Sequence, residues 1–147
     1  MKSIHPSPLL KNALRADALV SGATGVLQLA AAERLSALLD LPANLLWGSA
    51  EFMLAYAAVT LLMASRNRLP SALVLLIIAG NVLWGVACVA LPLEGLLAPN
   101  ALGIGFLLMH AAAVVLLAVL EWLGLQRSGT ASSVIGAERP RARESTT

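Results

Sequence analysis

Four long apolar blocks dominate the sequence and restrict what the chain can fold into. They cover about 14–39, 45–65, 71–91 and 101–125, and each holds the roughly 20 residues that an α-helix needs to cross a bilayer. Only 12% of the chain is charged, against roughly 25% in soluble domains. The blocks therefore predict an all-α polytopic membrane protein, an antiparallel up-down four-helix transmembrane bundle.

The connections between the blocks are short. Pro42 ends the first block and Pro92 the third, because proline does not readily continue a helix. The tight connection at 41–44 makes the first two spans antiparallel neighbours. Residues 1–12 are predicted as an irregular cytoplasmic lead, and 126–147 as a disordered cytoplasmic tail that is too polar to bury a core.

The first block has an alternative interpretation as a signal peptide. The basic start of the chain and the small residues Ala30-Ala31-Ala32 are typical of a cleaved leader. Asp17, Gly25 and Gln28, however, make the apolar stretch too polar and glycine-rich for one. We favour a first membrane span.

The basic residues predict the topology. They occupy the lead, the second connection and the tail, whereas Arg34 alone lies toward the opposite ends of the spans. Cytoplasmic segments carry the excess of Lys and Arg. Both termini are therefore predicted in the cytoplasm, in a bacterial-type inner membrane.

Each span has one stripe of small or polar residues at helical spacing, which we predict to face the bundle interior. The stripes contain Asp17, Ser21, Thr24, Gly25, Gln28 and Ala32; Gly48, Glu51, Ala55, Ala58 and Ser65; Asn81, Trp84, Gly85 and Cys88; and Gly103, His110, Val114, Leu117 and Glu121. Small residues let helices approach closely in lipid. The predicted packing positions are Ser21, Gly25, Gly48, Gly85 and Gly103.

Glu51 is the most unusual residue of these stripes, since a carboxylate inside a membrane span is costly and usually has a partner or a function. By helical rise, Glu51 can meet Gln28, Asn81, Trp84 and His110 in the outer half of the bundle. These five residues form a candidate intramembrane polar site. A proton relay, a cation site and a hydrogen bond that only fixes helix register all remain open for it.

Asp17 and Glu121 are predicted near the inner surface. Arg15, Arg66 or Arg127 could neutralise them there, as in ordinary anchoring pairs. We interpret both carboxylates as structural.

The sequence indicates no cofactor, metal site or catalytic constellation. Gly103-Ile104-Gly105 lacks the strand and acidic residue of a nucleotide-binding loop. Paired cysteines and an HExxH motif are absent, and His5 lies too far from His110 to share a haem. A basic stripe with aromatic platforms for nucleic acid is also absent.

Two short motifs carry a family resemblance. The turn Leu39-Asp40-Leu41-Pro42, followed by Gly48-Ser49-Ala50-Glu51 early in the second span, resembles the DoxX-like group of small four-span bacterial membrane proteins. The similarity covers mainly residues 25–62, and Gln28 stands where the group usually has a basic residue. The resemblance implies a four-span fold in a bacterial inner membrane and, from some members, a link to redox or quinone-handling complexes.

Three functions remain compatible with the sequence. The first is a non-enzymatic accessory or structural subunit, within a homo-oligomer or a larger membrane complex. The second is a small proton-coupled carrier or ligand-binding protein that uses Glu51 and His110 for an unknown small molecule. The third is a redox or other enzyme, which lacks a visible ligand set for a cofactor. We favour the first.

Overall fold

The computed structural model describes residues 3–130, and almost all of them are helical. The helices are α1 (Pro8–Leu39), α2 (Ala43–Ser65), α3 (Ser71–Leu93) and α4 (Ala101–Gln126). Three short strands, β1 (Ser3–His5), β2 (Leu69–Pro70) and β3 (Gly129–Thr130), accompany them. The predicted disordered tail falls mainly on 131–147, outside the described residues.

Three of the helices can span a membrane. α2, α3 and α4 are long and apolar enough to do so. α1 is longer than any of them but is not among the helices that are apolar enough to cross a membrane. Polar residues such as Asp17 and Gln28 interrupt its apolar sequence.

α1 begins at Pro8, well before the predicted start at about residue 14, so the irregular lead predicted for 1–12 is wrong over most of its length. The Ser7 hydroxyl accepts a hydrogen bond from the Leu10 amide at 3.2 Å and caps the helix. Proline suits the first helical position, since its φ is already helical and its missing N–H would have no partner there. The start of the first span was predicted from apolar residues alone, so the N-terminal signal of Ser7 followed by Pro8 was missed.

α3 continues through Pro92 and ends at Leu93, so the prediction that Pro92 stops the helix is wrong. Proline removes only its own N–H, and the Glu94 amide still donates to the Ala90 carbonyl at 2.9 Å. The missing hydrogen bond costs little here, because the helix ends one residue after Pro92 and few further backbone hydrogen bonds follow it.

The helices pack in the order α2–α1–α4–α3. α1 packs closely against α2 and α4, and α4 packs against α3. The backbones of α2 and α3 do not approach each other as closely as those of these three pairs. The short connection at 40–42 makes α1 and α2 antiparallel neighbours, as predicted. The bundle therefore has an open seam between α2 and α3.

A small antiparallel sheet closes one end of the bundle, which we call the sheet end. β1 lies in the centre, with Ile4 paired to Leu69 of β2 on one side and to Thr130 of β3 on the other. Ile4 and Leu69 are buried there with Leu10 and Leu14 of α1. The sheet thus links three separate segments of the chain: the one before α1, the connection between α2 and α3, and the segment after α4.

Asn100 ties the opposite end together, which we call the loop end. Its side-chain amide donates to the Leu38 carbonyl at 2.8 Å and its backbone amide to the Leu39 carbonyl at 3.2 Å. Its side-chain oxygen accepts from the Gly103 amide at 3.0 Å and caps α4. One residue thus fixes the end of α1 against the start of α4.

Candidate functional site

Two cavities lie along the seam between α2 and α3, which we call the α2–α3 cleft. The cavity nearer the loop end has a volume of about 140 Å³ and the one nearer the sheet end about 310 Å³. Met53, Trp84 and Ala87 line both of them. The cavities are therefore adjacent compartments of one cleft.

Aromatic rings connect the two helices across the cleft. Phe52 of α2 stacks on Trp84 of α3, with ring centroids 5.5 Å apart and planes 9° from parallel. Tyr56, one turn along α2, also stacks on Phe52, with ring centroids 6.2 Å apart and planes at 23°. Large rings at this contact hold the backbones apart, whereas Gly25 lets α1 approach α2 until an added Cβ would lie 3.1 Å from the Ala50 carbonyl oxygen.

The loop-end cavity is almost wholly apolar, but four polar side chains line it: Gln28, Ser49, Trp84 and His110. The Gln28 side-chain oxygen accepts a hydrogen bond from the Ser49 hydroxyl at 2.6 Å. His110 Nδ1 lies 3.0 Å from the Phe106 carbonyl oxygen. A carbonyl only accepts, so Nδ1 carries the proton and Nε2 of the neutral ring is an acceptor.

Three buried side-chain atoms among residues 3–130 have no hydrogen-bond partner. They are Trp84 Nε1, His110 Nε2 and Glu121 Oε1. Buried polar atoms are nearly always paired, so each unpaired one calls for an explanation. All three belong to side chains at the cleft or directly behind it.

A cluster of polar side chains lies behind the sheet-end cavity, and we call it the carboxyl cluster: Asp17, Ser21, Tyr56, Asn81 and Glu121. Asp17 accepts hydrogen bonds from the Tyr56 hydroxyl at 2.5 Å, the Asn81 amide at 3.0 Å and the Ser21 hydroxyl at 3.0 Å. The Asn81 amide also donates to Glu121 at 3.2 Å, and the two carboxyl groups contact each other. One residue from each of α2 and α3, one from α4 and two from α1 thus meet in the core.

The carboxyl cluster contains no basic side chain. Asp17 and Glu121 are both 0% exposed, and within residues 3–130 their hydrogen-bond partners are all neutral. The expectation that an arginine neutralises them is wrong: Arg15, Arg66 and Arg127 are all exposed, and Arg15 instead donates to the Asn12 side chain at 3.5 Å. Both acidic side chains turn inward, away from the basic surface.

Glu51 does not belong to this site. It is exposed on the outer surface of α2, as are Gly48, Ala55 and Ala58, so the prediction that this stripe faces inward is wrong. The inward face of α2 is instead formed by Leu46, Ala50, Met53, Ala57 and Thr60. The close approach of α1 at Gly25 selects Ala50 for the contact, and Glu51, the next residue, is turned about 100° away.

The structure divides the remaining predicted site residues between the two cavities. Gln28, Trp84 and His110 line the loop-end cavity, whereas Asn81 lines the sheet-end cavity and bonds to the carboxylates. The predicted packing residues Ser21, Gly25, Gly85 and Gly103 are buried. Gly48 is exposed, with open space where a Cβ would stand.

Tyr56 was not predicted as a site residue, although its hydroxyl joins Asp17 to Asn81. Its sequence signal was available: Tyr56 is the only tyrosine of the chain and lies mid-span, where a hydroxyl needs a partner. Tyr56 was missed because the predicted inward stripe of α2 was wrong and did not include it. Among residues 3–130, no group of three or more His, Cys, Asp or Glu side chains could hold a metal ion.

Comparison with known proteins found no match to this chain among family models, curated proteins or solved structures. The cleft and the carboxyl cluster are therefore the basis on which a function can be argued.

Proposed function

We propose that the chain is a four-span protein of a bacterial-type inner membrane, with the sheet end in the cytoplasm. The sheet supports a fourth span: β1 precedes α1 and pairs with strands next to α2, α3 and α4. α1 then runs between the apolar helices α2 and α4 to the loop end, where Asn100 holds its last turn. Lys11, Arg66 and Arg68 lie near the sheet end, as expected for the cytoplasmic side.

The function that the geometry supports best is the binding of a small amphipathic molecule that enters the α2–α3 cleft from the bilayer. The observation that carries this proposal is the open seam itself. The contacts of α1 with α2 and of α3 with α4 leave only open surface grooves, whereas α2 and α3 border two adjoining cavities that are more enclosed. Ligand sites between the helices of bundles are typically apolar spaces of this kind with a few polar groups.

The unpaired nitrogens of the loop-end cavity support a polar group on that molecule. Trp84 Nε1 is a donor, and His110 Nε2 an acceptor in the tautomer that its bond to Phe106 requires. A hydroxyl can accept from an indole N–H and can also donate to an imidazole nitrogen, whereas a carbonyl can only accept. The surrounding apolar side chains favour an alkyl or aromatic body.

Photolabelling in lipid nanodiscs tests cleft binding. A long-chain alcohol with a diazirine group is expected to label Met53, Trp84 and Ala87 more strongly than lipid-facing positions. Ala87→Phe places a ring between the two cavities and should reduce cleft labelling at least threefold, whereas Ala79→Phe, on the exposed face of α3, should leave it unchanged. Equal labelling of the cleft and of the outer apolar surface would contradict the proposal.

The exposed face of α2 supports the second candidate, an accessory role in a homo-oligomer or a larger membrane complex. Glu51 would lie in lipid about 12 Å from the start of α2, and a carboxylate there needs a partner. Gly48, Ala55 and Ala58 leave room for another helix beside it.

Replacement of Ala55 by Phe should shift the oligomer toward monomer in light scattering; an unchanged mass would count against this role.

The resemblance to DoxX-like proteins stays a prediction, and cleft binding does not require it.

A further inference from the structure

The starting observation is that the carboxyl cluster holds uncompensated acidic groups in the middle of the bundle. Asp17 and Tyr56 each lie nine residues from the sheet end of their helices, which is about 14 Å by helical rise. That depth is near the centre of a hydrocarbon layer about 30 Å thick. A buried carboxylate is stable only if it is paired or protonated, and within residues 3–130 no cation pairs with either acid.

The hydrogen bonds within the cluster satisfy one acid better than the other. Asp17 receives three donors from neutral side chains, whereas Glu121 receives one, from Asn81. Glu121 is 0% exposed and its Oε1 has no hydrogen-bond partner. Its contact with Asp17 supplies a donor only if a proton lies between the two groups. The cluster therefore has capacity for one further positive charge.

The sheet-end cavity connects this cluster to the cleft. Ser21, Tyr56 and Asn81 are members of the cluster and also line the cavity, together with the rings of Phe52 and Trp84. Aromatic faces attract cations within about 6 Å of the ring, more strongly where water is excluded. The volume of about 310 Å³ falls at the lower end of the range for small-molecule sites.

We infer that the sheet-end cavity binds an amphipathic organic cation, an amine or quaternary ammonium with an apolar body, whose charge the carboxyl cluster neutralises. The inference rests on cleft binding and specifies the charge of the occupant. The apolar body enters between α2 and α3 from the lipid. The positive group comes to rest beside Tyr56 and Asn81.

The first experiment uses the wild-type protein in zwitterionic nanodiscs and a pair of probes of equal shape. Benzyltrimethylammonium carries the charge, and neopentylbenzene is its neutral isostere. Binding is measured by Trp84 fluorescence in a Trp47→Phe/Trp122→Phe background, since both of those rings are exposed. We expect the cation to bind at least tenfold more tightly than the isostere.

The outcomes separate this inference from cleft binding. Equal binding of both probes, or tighter binding of the isostere, overturns the cation site and leaves cleft binding in place. Binding of neither probe overturns both. Displacement of the ammonium by millimolar NaCl at constant ionic strength would assign the cluster to an inorganic cation and also overturn the inference.

Charge-removing variants locate the site. Asp17→Asn and Glu121→Gln are each expected to abolish the preference for the cation, whereas Glu51→Gln, which removes an exposed carboxylate on the same bundle, should retain it. An unchanged preference in either cluster variant contradicts the inference.

A tethered cation provides a test that keeps both carboxylates. Gly80 lines the sheet-end cavity and has open space at its Cβ position. Gly80→Lys should supply the missing charge, raise the melting temperature and weaken ammonium binding at least tenfold relative to Gly80→Met, a neutral side chain of similar length. Equal affinity of the two variants would overturn the inference.

Discussion

The two buried acids show how much a single side chain depends on its neighbours in this protein. Asp17 is fully buried but accepts hydrogen bonds from three donors, on Ser21, Tyr56 and Asn81. Glu121 accepts a hydrogen bond from Asn81 alone and otherwise contacts the carboxyl group of Asp17. The shortest bond of the cluster joins Tyr56 to Asp17 at 2.5 Å, and bonds of hydroxyls to charged carboxylates are both short and strong.

Removal of that hydroxyl should destabilise the protein. Tyr56→Phe keeps the ring stack with Phe52 but leaves Asp17 short of a donor in the core, at an expected cost of about 1–3 kcal/mol. Unfolding in mixed detergent should show the loss. In an Asp17→Asn background the same change should cost much less, and equal costs in the two backgrounds would mean that the bond contributes little.

Among the helices, rotation about each axis decides which side chains reach the cleft. Hydropathy identified all four helices, and the polar stripes of α1, α3 and α4 lie inward as predicted. Hydropathy could not orient α2, because its apolar residues surround the helix and the closest contact is made by Ala50, a residue with little sequence signal. The high free energy of a carboxylate in lipid predicted that Glu51 faces inward. The close contact of Gly25 with Ala50 instead sets the rotation of α2 about its axis.

Two glycines of α4 should tolerate no side chain. A Cβ at Gly103 would collide with the Leu39 carbonyl oxygen, and one at Gly124 would lie 2.6 Å from Leu10 Cα. Both neighbours are backbone and cannot move without displacing α1. Gly103→Ala and Gly124→Ala are expected to destabilise by about 1–3 kcal/mol, as overpacking does; Gly105→Ala, which meets open space, should be neutral or slightly stabilising. Melting temperatures of the three variants check this order.

The arrangement of the complete bundle predicts which surfaces a membrane-impermeant thiol reagent can reach. In a Cys88→Ala background, which removes the chain's one cysteine, Ser3→Cys and Arg68→Cys should be labelled only after cell lysis. Ala98→Cys, in the exposed α3–α4 connection, should be labelled in intact spheroplasts. Labelling of Ser3→Cys and Ala98→Cys from the same side would exclude a membrane-spanning α1.

The sheet at the cytoplasmic end of the proposed topology also restricts the order in which the chain can assemble. Ile4 precedes all four helices in the chain, yet its partners are Leu69 and Thr130. Its second pairing must wait until α4 has been made and has entered the membrane. β1 therefore keeps an unpaired strand edge until β3 has been synthesised, and its final pairing marks a bundle in which all four helices are present.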